Sequence, residues 1–165
     1  MSADWQDLPF NEAIDYFRNK VDLPTQRWTD LMGGMHAPAF VVAGANKAEL
    51  LADLRGAVDK SIAKGGTIQD FRKDFNATVN KTGWTYKGEY GWRTGVIFNT
   101  NLSVAYSAGR YKQMTDPDVL AAMPYWRYKT MRDTRVRPLH RQWDGVTLKY
   151  DDPWWQSHFP PCGWG

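Results

Sequence analysis

The chain has one cysteine, Cys162, and three histidines, His36, His140 and His158, in 165 residues. A lone thiol cannot close an internal disulfide, which fits a reducing cytoplasm. Nor does any uninterrupted apolar run approach the roughly 18 residues that a membrane-spanning helix needs. The opening Met1-Ser2-Ala3-Asp4-Trp5-Gln6-Asp7 is acidic and lacks the basic and apolar regions of a signal peptide. The chain is therefore expected to be made and to fold inside a cell. Internal repeats, low-complexity segments, a phosphate-cradling glycine loop, a serine nucleophile elbow and a His-Glu-x-x-His motif are all missing. These absences exclude the commonest hydrolase and nucleotide-binding signatures.

What is plentiful is aromatic side chain, 15% of the residues, against an ordinary 42% hydrophobic and 24% charged content. Such a share argues for packed surfaces or interfaces rather than disorder. The length suits one domain, alone or with a helical extension. The charge is unevenly placed. Residues 125–141 hold Arg127, Lys129, Arg132, Arg135, Arg137 and Arg141 against the single acid Asp133, a local excess of five where the whole chain carries +3. Five of the nine tryptophans (Trp126, Trp143, Trp154, Trp155 and Trp164) lie between 125 and 165. Asp152-Pro153 and Pro160-Pro161 fix the backbone on either side of Trp154-Trp155, because proline locks φ and removes a donor.

Taken in order, Pro9 with Phe10, Ile14, Phe17 and Val21 predicts an amphipathic helix over 9–21, broken by Leu23-Pro24. Thr25 is expected to cap a short helix carrying Trp28, Leu31 and Met32 up to Gly33-Gly34, and Ala39–Ala43 to be a buried extended segment or the end of an arm. Asn46 with Glu49 resembles a capping box ahead of the apolar face Leu50, Leu51, Leu54, Val58 and Ile62. Thr67 with Asp70 starts the next helix, with Ile68, Phe71, Phe75 and Val79 on one side until Gly83. The Gly65-Gly66 link makes the two an antiparallel hairpin. After a loop at 84–91, Tyr90–Met114 predicts a helix whose small residues let another backbone approach closely; Asp116-Pro117 ends it. Alternation over Tyr125–Met131 predicts a strand. A short helix at Pro138–Trp143, a turn at Asp144-Gly145, a second strand at Val146–Leu148 and a helical turn from Asp152-Pro153 complete the chain. The fold class is α+β: an N-terminal helical part of about five helices, then a two- or three-stranded unit with Trp- and Pro-rich loops. Residues 1–45 form a helical arm and 46–165 the domain proper, with the β-containing unit at 125–165.

The run Arg132-Asp133-x-Arg135-x-Arg137-x-x-His140 to Asp144-Gly145, followed by Asp152-Pro153-x-Trp155-x-x-His158-x-Pro160-Pro161-x-Gly163-Trp164, resembles the C-terminal signature of the phage Mu F-like head morphogenesis family. Fifteen positions in fixed order carry the match, with looser similarity at Pro9-Phe10, Leu23-Pro24-Thr25 and Phe40–Ala45. The resemblance implies a non-enzymatic minor head protein that joins portal, capsid or scaffold proteins as the procapsid assembles. It further implies residence in the head interior of the virion, after assembly in the bacterial cytoplasm, and help with DNA packaging or exit. Neither a membrane nor a small-molecule substrate is implied. Members commonly run on past Gly-Trp-Gly into a Cys-x-Cys pair. The end at Gly165 leads to the expectation of a truncated chain, and Cys162 stands where Asn or another small polar residue is expected.

Three readings of the arginine cluster stay open. It can brace the loops by bidentate salt bridges to Asp133, Asp144, Asp151 and Asp152. It can contact an acidic partner protein, or grip phosphates of DNA. The closeness of the acids in sequence favours bracing. His158 and Cys162 are weak candidate ligands for a structural zinc, and no other cofactor is expected. A histidine locked into the fold is the plainer role for His140 and His158. Mu F-like domains also precede toxin domains, so a nucleic-acid-active or ADP-ribosyltransferase-associated module using His140 as base beside the arginines is the alternative. Trp126, Trp143 and Trp155 suit a core, and Trp154 an interface.

Overall fold

A computed structural model describes residues 9–31 and 38–161. The fold is α+β, mostly helical, and the chain forms two compact units, 1–110 and 111–165. The sequence reading placed a boundary at residue 45. Phe17, Phe40 and Val42 instead lie in the same core as Leu50, Leu54 and Phe71.

In the first unit, α1 (Asn11–Arg18) buries Ala13, Ile14 and Phe17. It stops short of the expected 21, and Val21 is not on its apolar face. Val21 and Asp22 form β1, paired in parallel with β2 (Ala39–Phe40), and Val21 is 60% exposed. Its amide donates to Pro38 O (2.9 Å), so the backbone is drawn out of the helix by a neighbour 17 residues away in sequence. Thr25 is buried rather than capping. A 3₁₀ turn, Trp28–Asp30, is held by Asp30 Oδ2, which accepts from the amides of Arg27 (2.8 Å) and Gln26 (2.9 Å). Met32 and Gly33-Gly34 lie outside the described residues.

Helix α2 (Ala48–Lys64) buries Leu50, Leu51, Leu54, Val58 and Ile62 on one face. Its cap position is Lys47, not Asn46, and no side chain caps it, so the expected box at Asn46 does not form. The box at Thr67 does. Asp70 N donates to Thr67 Oγ1 (3.3 Å) and Thr67 N to Asp70 Oδ2 (3.1 Å), starting α3 (Ile68–Thr82). Gly65 (φ 66°) and Gly83 (φ 64°) end these helices in the left-handed region that favours glycine. The hairpin is laced on its surface by Lys60–Asp74 and by Lys81 to Glu49 and Asp53, each 2.9 Å. Phe75 is the aromatic hub, with ring centroids of Tyr86 at 5.3 Å and of Trp84 and Tyr90 at 6.0 Å.

Helix α4 (Tyr90–Met114) brings Gly109 against α1, where the two backbones nearly touch. Phe10 stacks on Tyr106 at 5.8 Å beside that crossing. Close approach is what the small residues of this helix predicted. Lys20 is buried nearby under β2, its Nζ donating to Ala39 O (3.3 Å), and burial pushes its pKa down to about 8.

The second unit opens with α5 (Pro117–Ala122). Asp116-Pro117 ends α4 as expected, and it also starts this helix, because Asp116 Oδ1 accepts from Asp118 N and proline occupies the first turn. Strands β3 (Tyr125–Arg127) and β4 (Thr147–Lys149) pair antiparallel, Trp126 opposite Leu148. The strand is shorter than the expected 125–131 and ends at Arg127, but the alternation of burial continues past it, with Trp126 and Tyr128 buried and Tyr125 and Arg127 exposed. Between the strands lies α6 (Pro138–Trp143), and α7 (Trp155–His158) closes the unit. Trp126, Tyr128 and Trp155 make its core, packed by Trp143, Tyr150 and Phe159 among others.

Candidate functional site

The loop from β3 to β4 carries seven of the fifteen signature residues, and Asp144 is its fastener. Its Oδ1 accepts from Thr130 N (2.8 Å) and Thr130 Oγ1 (3.1 Å), and its Oδ2 from Arg132 Nε (2.9 Å). Arg132 adopts φ 57°, a region costly for a side chain with a Cβ, and from there its Nε pairs with Asp144. Gly145 follows with φ 90°, which only glycine enters freely, and its amide donates to Tyr128 O (2.8 Å) to close the loop. Asp133 caps the Arg135 amide (3.0 Å) and takes the Arg135 fork through Nε (2.9 Å) and Nη2 (2.7 Å). Arg141 reaches Val136 O at 3.3 Å. Thr130, Arg132, Asp133, Val136, Arg141 and Asp144 line an open cleft of about 480 Å³.

Bracing by local acids is therefore what the geometry brings together, with two corrections. The pairs are not buried: the Arg132 and Arg135 side chains are 65% and 85% exposed. Exposed pairs contribute little each, about 0–1 kcal/mol. Arg137 has no acidic partner among the described residues; it is exposed and sits at the cap position of α6. Asp152 pairs with no arginine either. Its Oδ1 accepts the Trp154 amide (2.9 Å), and with Pro153 it shapes the entry to α7.

The hydrogen bond from the Thr130 amide holds the Asp144 carboxyl below the usual aspartate range, with the Thr130 hydroxyl and Arg132 adding to it against some desolvation. The folded loop thus favours the charged form. Its stabilising effect is complete above the unfolded aspartate pKa of about 3.9 and is lost as pH falls through the lower folded value. Asp144→Asn is expected to melt below wild type at pH 7, with the gap closing as pH falls below about 3.9. A gap independent of pH would count against this role. Arg137→Ala, by contrast, should leave stability within about 0.5 kcal/mol of wild type.

The histidines are held by rings. His140 lies flat on Trp143 (4.9 Å, 21°), and His158 is stacked on Trp154 (3.9 Å, 9°) with its edge to Trp143 at 4.4 Å. His158 Nδ1 is 2.8 Å from Trp154 O; a carbonyl only accepts, so this nitrogen carries the proton. Trp154, expected at an interface, is half-buried among Tyr128, Trp143, Trp155 and His158. Trp155 is buried, with Nε1 donating to Lys149 O (3.0 Å). Among the described residues no group of three or more His, Cys, Asp or Glu side chains could hold a metal ion. Cys162, Gly163 and Trp164 lie outside them.

Sequence reasoning missed a second feature of this unit, an aromatic groove of about 390 Å³ reached by Tyr111 and Phe159. Its residues are scattered over 111–159, and no periodicity links them. Tyr125, Met131 and Leu139, 65%, 82% and 55% exposed, add apolar surface; the alternation assigns Tyr125 and Met131 outward, and Leu139 lies beyond it.

The second unit of this α+β chain is an arginine-clasped, tryptophan-packed hairpin. Residues 52–165 match the family model described as Phage Mu protein F like protein, and the chain belongs to that family. It is 36% identical over 171 residues to the putative capsid assembly protein F of Escherichia phage Mu, a match covering 95% of this chain and 38% of that relative. It is likewise 36% identical over 152 residues to the Mu-like prophage FluMu F protein of Haemophilus influenzae, covering 86% of this chain and 36% of the relative. The chain thus spans less than two fifths of the length of these relatives. No solved structure matches it significantly.

Proposed function

We propose that this chain works without catalysis in phage head assembly, associating with the portal protein and with capsid or scaffold proteins as the procapsid forms. In that role it enters the head interior from the bacterial cytoplasm and assists DNA packaging or ejection. The observation that carries the reading is the 36% identity, over 95% of this chain, to a protein named for capsid assembly. The site's chemistry supports it. Arginine and tryptophan are the side chains most enriched at binding hot spots, and the second unit is built from them. His140, the base of the toxin-like alternative, is stacked on Trp143.

Co-expression with the portal, capsid and scaffold proteins of the same phage, followed by affinity capture of this chain, tests the reading. Co-elution of portal or capsid protein is the expected result, and capture of this chain alone overturns it. Exposed Arg137 and the basic excess of residues 125–141 also support a non-specific DNA contact. Such a contact requires log K to fall by roughly 0.9 per phosphate neutralised as log salt rises. Salt-independent or absent binding removes DNA from the proposal.

A further inference from the structure

We propose that the groove of the second unit receives an arginine side chain presented by a partner protein. Its walls are the rings of Tyr111, Trp126, Tyr150, Trp155 and Phe159, and its rim carries the neighbouring carboxylates Asp151 and Asp152. No lysine or arginine is among these lining residues. The neighbouring residues 127–141, by contrast, are rich in arginine.

The rings are set at steep angles to one another. Tyr111 meets Phe159 at 5.0 Å and 85° and Trp126 at 5.9 Å and 76°, and Trp126 meets Phe159 at 5.6 Å and 59°. A corner of this kind offers ring faces to whatever enters, and a ring face carries the negative end of the aromatic quadrupole. Tyr111 is 48% exposed, so its ring is open to solvent. A cation held there gains from the rings and from the carboxylates together. Guanidinium suits it better than ammonium, because its plane stacks on a ring while its fork engages a carboxylate.

The chain itself demonstrates the chemistry at the rim. Lys149 Nζ lies 2.8 Å from Asp151 Oδ2 and 5.5 Å from the Tyr150 ring centroid. This ammonium occupies part of the acidic edge and competes with an incoming guanidinium. Across the ladder Tyr125 stands opposite Lys149 and is 65% exposed. A groove walled by five rings suits the aliphatic stem of a side chain as well as its charged head, which favours an arginine presented by a protein over a free small cation.

The inference rests on the chain being a protein-binding part, as proposed above, but its test needs no head protein. The full-length, nitrogen-15-labelled chain is titrated with acetyl-Gly-Arg-Gly-amide, and with the norleucine peptide in parallel, while the tryptophan indole N–H signals are followed. Saturable shifts of Trp126 and Trp155, without shifts of Trp84 and Trp92, are expected for the arginine peptide, with several-fold weaker binding of norleucine. Lys149→Ala is expected to tighten arginine binding about two- to fivefold by freeing Asp151, and Asp151→Asn to weaken it by a similar factor. Both side chains are more than half exposed, so neither change should disturb the fold.

Absence of saturable shifts in wild type and in Lys149→Ala overturns the proposal, as does equal binding of the two peptides. An unchanged affinity in Lys149→Ala removes the competition on which it depends. Contacts between Trp164 and the Tyr111 ring in the free chain, with no peptide binding, would show the groove filled by the chain's own last residues and also overturn it. If the arginine peptide binds while no head protein co-elutes, the assembly reading fails and the groove stands.

Discussion

Replacing Trp126 with alanine is expected to unfold most of the β3–β4 unit at temperatures where wild type is intact. Trp126 is 5% exposed and its ring meets four others: Trp155 and Phe159 at 5.6 Å, Tyr111 at 5.9 Å and Tyr150 at 6.3 Å. Truncating a buried tryptophan costs about 3–5 kcal/mol, part lost transfer energy and part cavity. A whole domain has only about 5–15 kcal/mol of stability, and a segment of this size buries proportionally less surface than a larger one. Hydrogen exchange read by mass spectrometry locates the effect. Amides of 125–128 and 146–150 should lose protection while those of α2 and α3 keep theirs. A melting temperature within two degrees of wild type, with those amides still protected, would show that Trp126 is not the centre of this core.

The second large effect concerns glycine in α4, where two forces oppose each other. Alanine is the better helix former by roughly 0.5–1 kcal/mol at an unconstrained site. At Gly109 a Cβ would lie 2.7 Å from Ala13 N and 2.8 Å from Phe10 Cζ. The first of these is backbone and cannot rotate away. Gly109→Ala should therefore destabilise, by about 1–3 kcal/mol or more as α1 is pushed off. Gly95, on the same helix, has only Asn99 Nδ2 at 3.9 Å, so Gly95→Ala should be neutral or stabilising. Urea denaturation of both variants gives the comparison. Equal stability of the two would mean that α1 and α4 do not cross at Gly109.

Much of the architecture was legible because it is local. The box at Thr67 and Asp70, the left-handed stops at Gly65 and Gly83 and the apolar face of Leu50, Leu51, Leu54, Val58 and Ile62 each lie within a few turns of chain. The same reasoning failed at Asn46, where an equally good capping pattern is unused and Lys47 holds the cap position. It failed at Val21 because a parallel partner at Ala39 competed with the end of the helix. A pairing across the chain cannot be seen in a window of ten residues.

For the candidate site, the residue types were readable and their pairing was partly so. Acid and arginine two residues apart, as at Asp133 and Arg135, can hardly avoid each other, and the structure joins them. The Thr130 amide as the principal support of Asp144, and Arg137 without an acidic partner among the described residues, depend on the path of the loop between β3 and β4. So does the half-burial of Trp154. Side-chain chemistry says what tryptophan can do, but the neighbouring rings decide how much of it water sees.

By itself the sequence determined the helical hairpin, the alternating strand, the crowding of arginine and tryptophan towards the end, and the resemblance that leads to the Mu F-like family. All are carried by order and spacing along the chain. The tertiary structure alone decided that α1 and α4 meet at Gly109, and that residues as far apart as Tyr111 and Phe159 make one groove with an acidic rim. Those features arise when segments distant in sequence come within van der Waals reach, and short-range pattern holds no record of that.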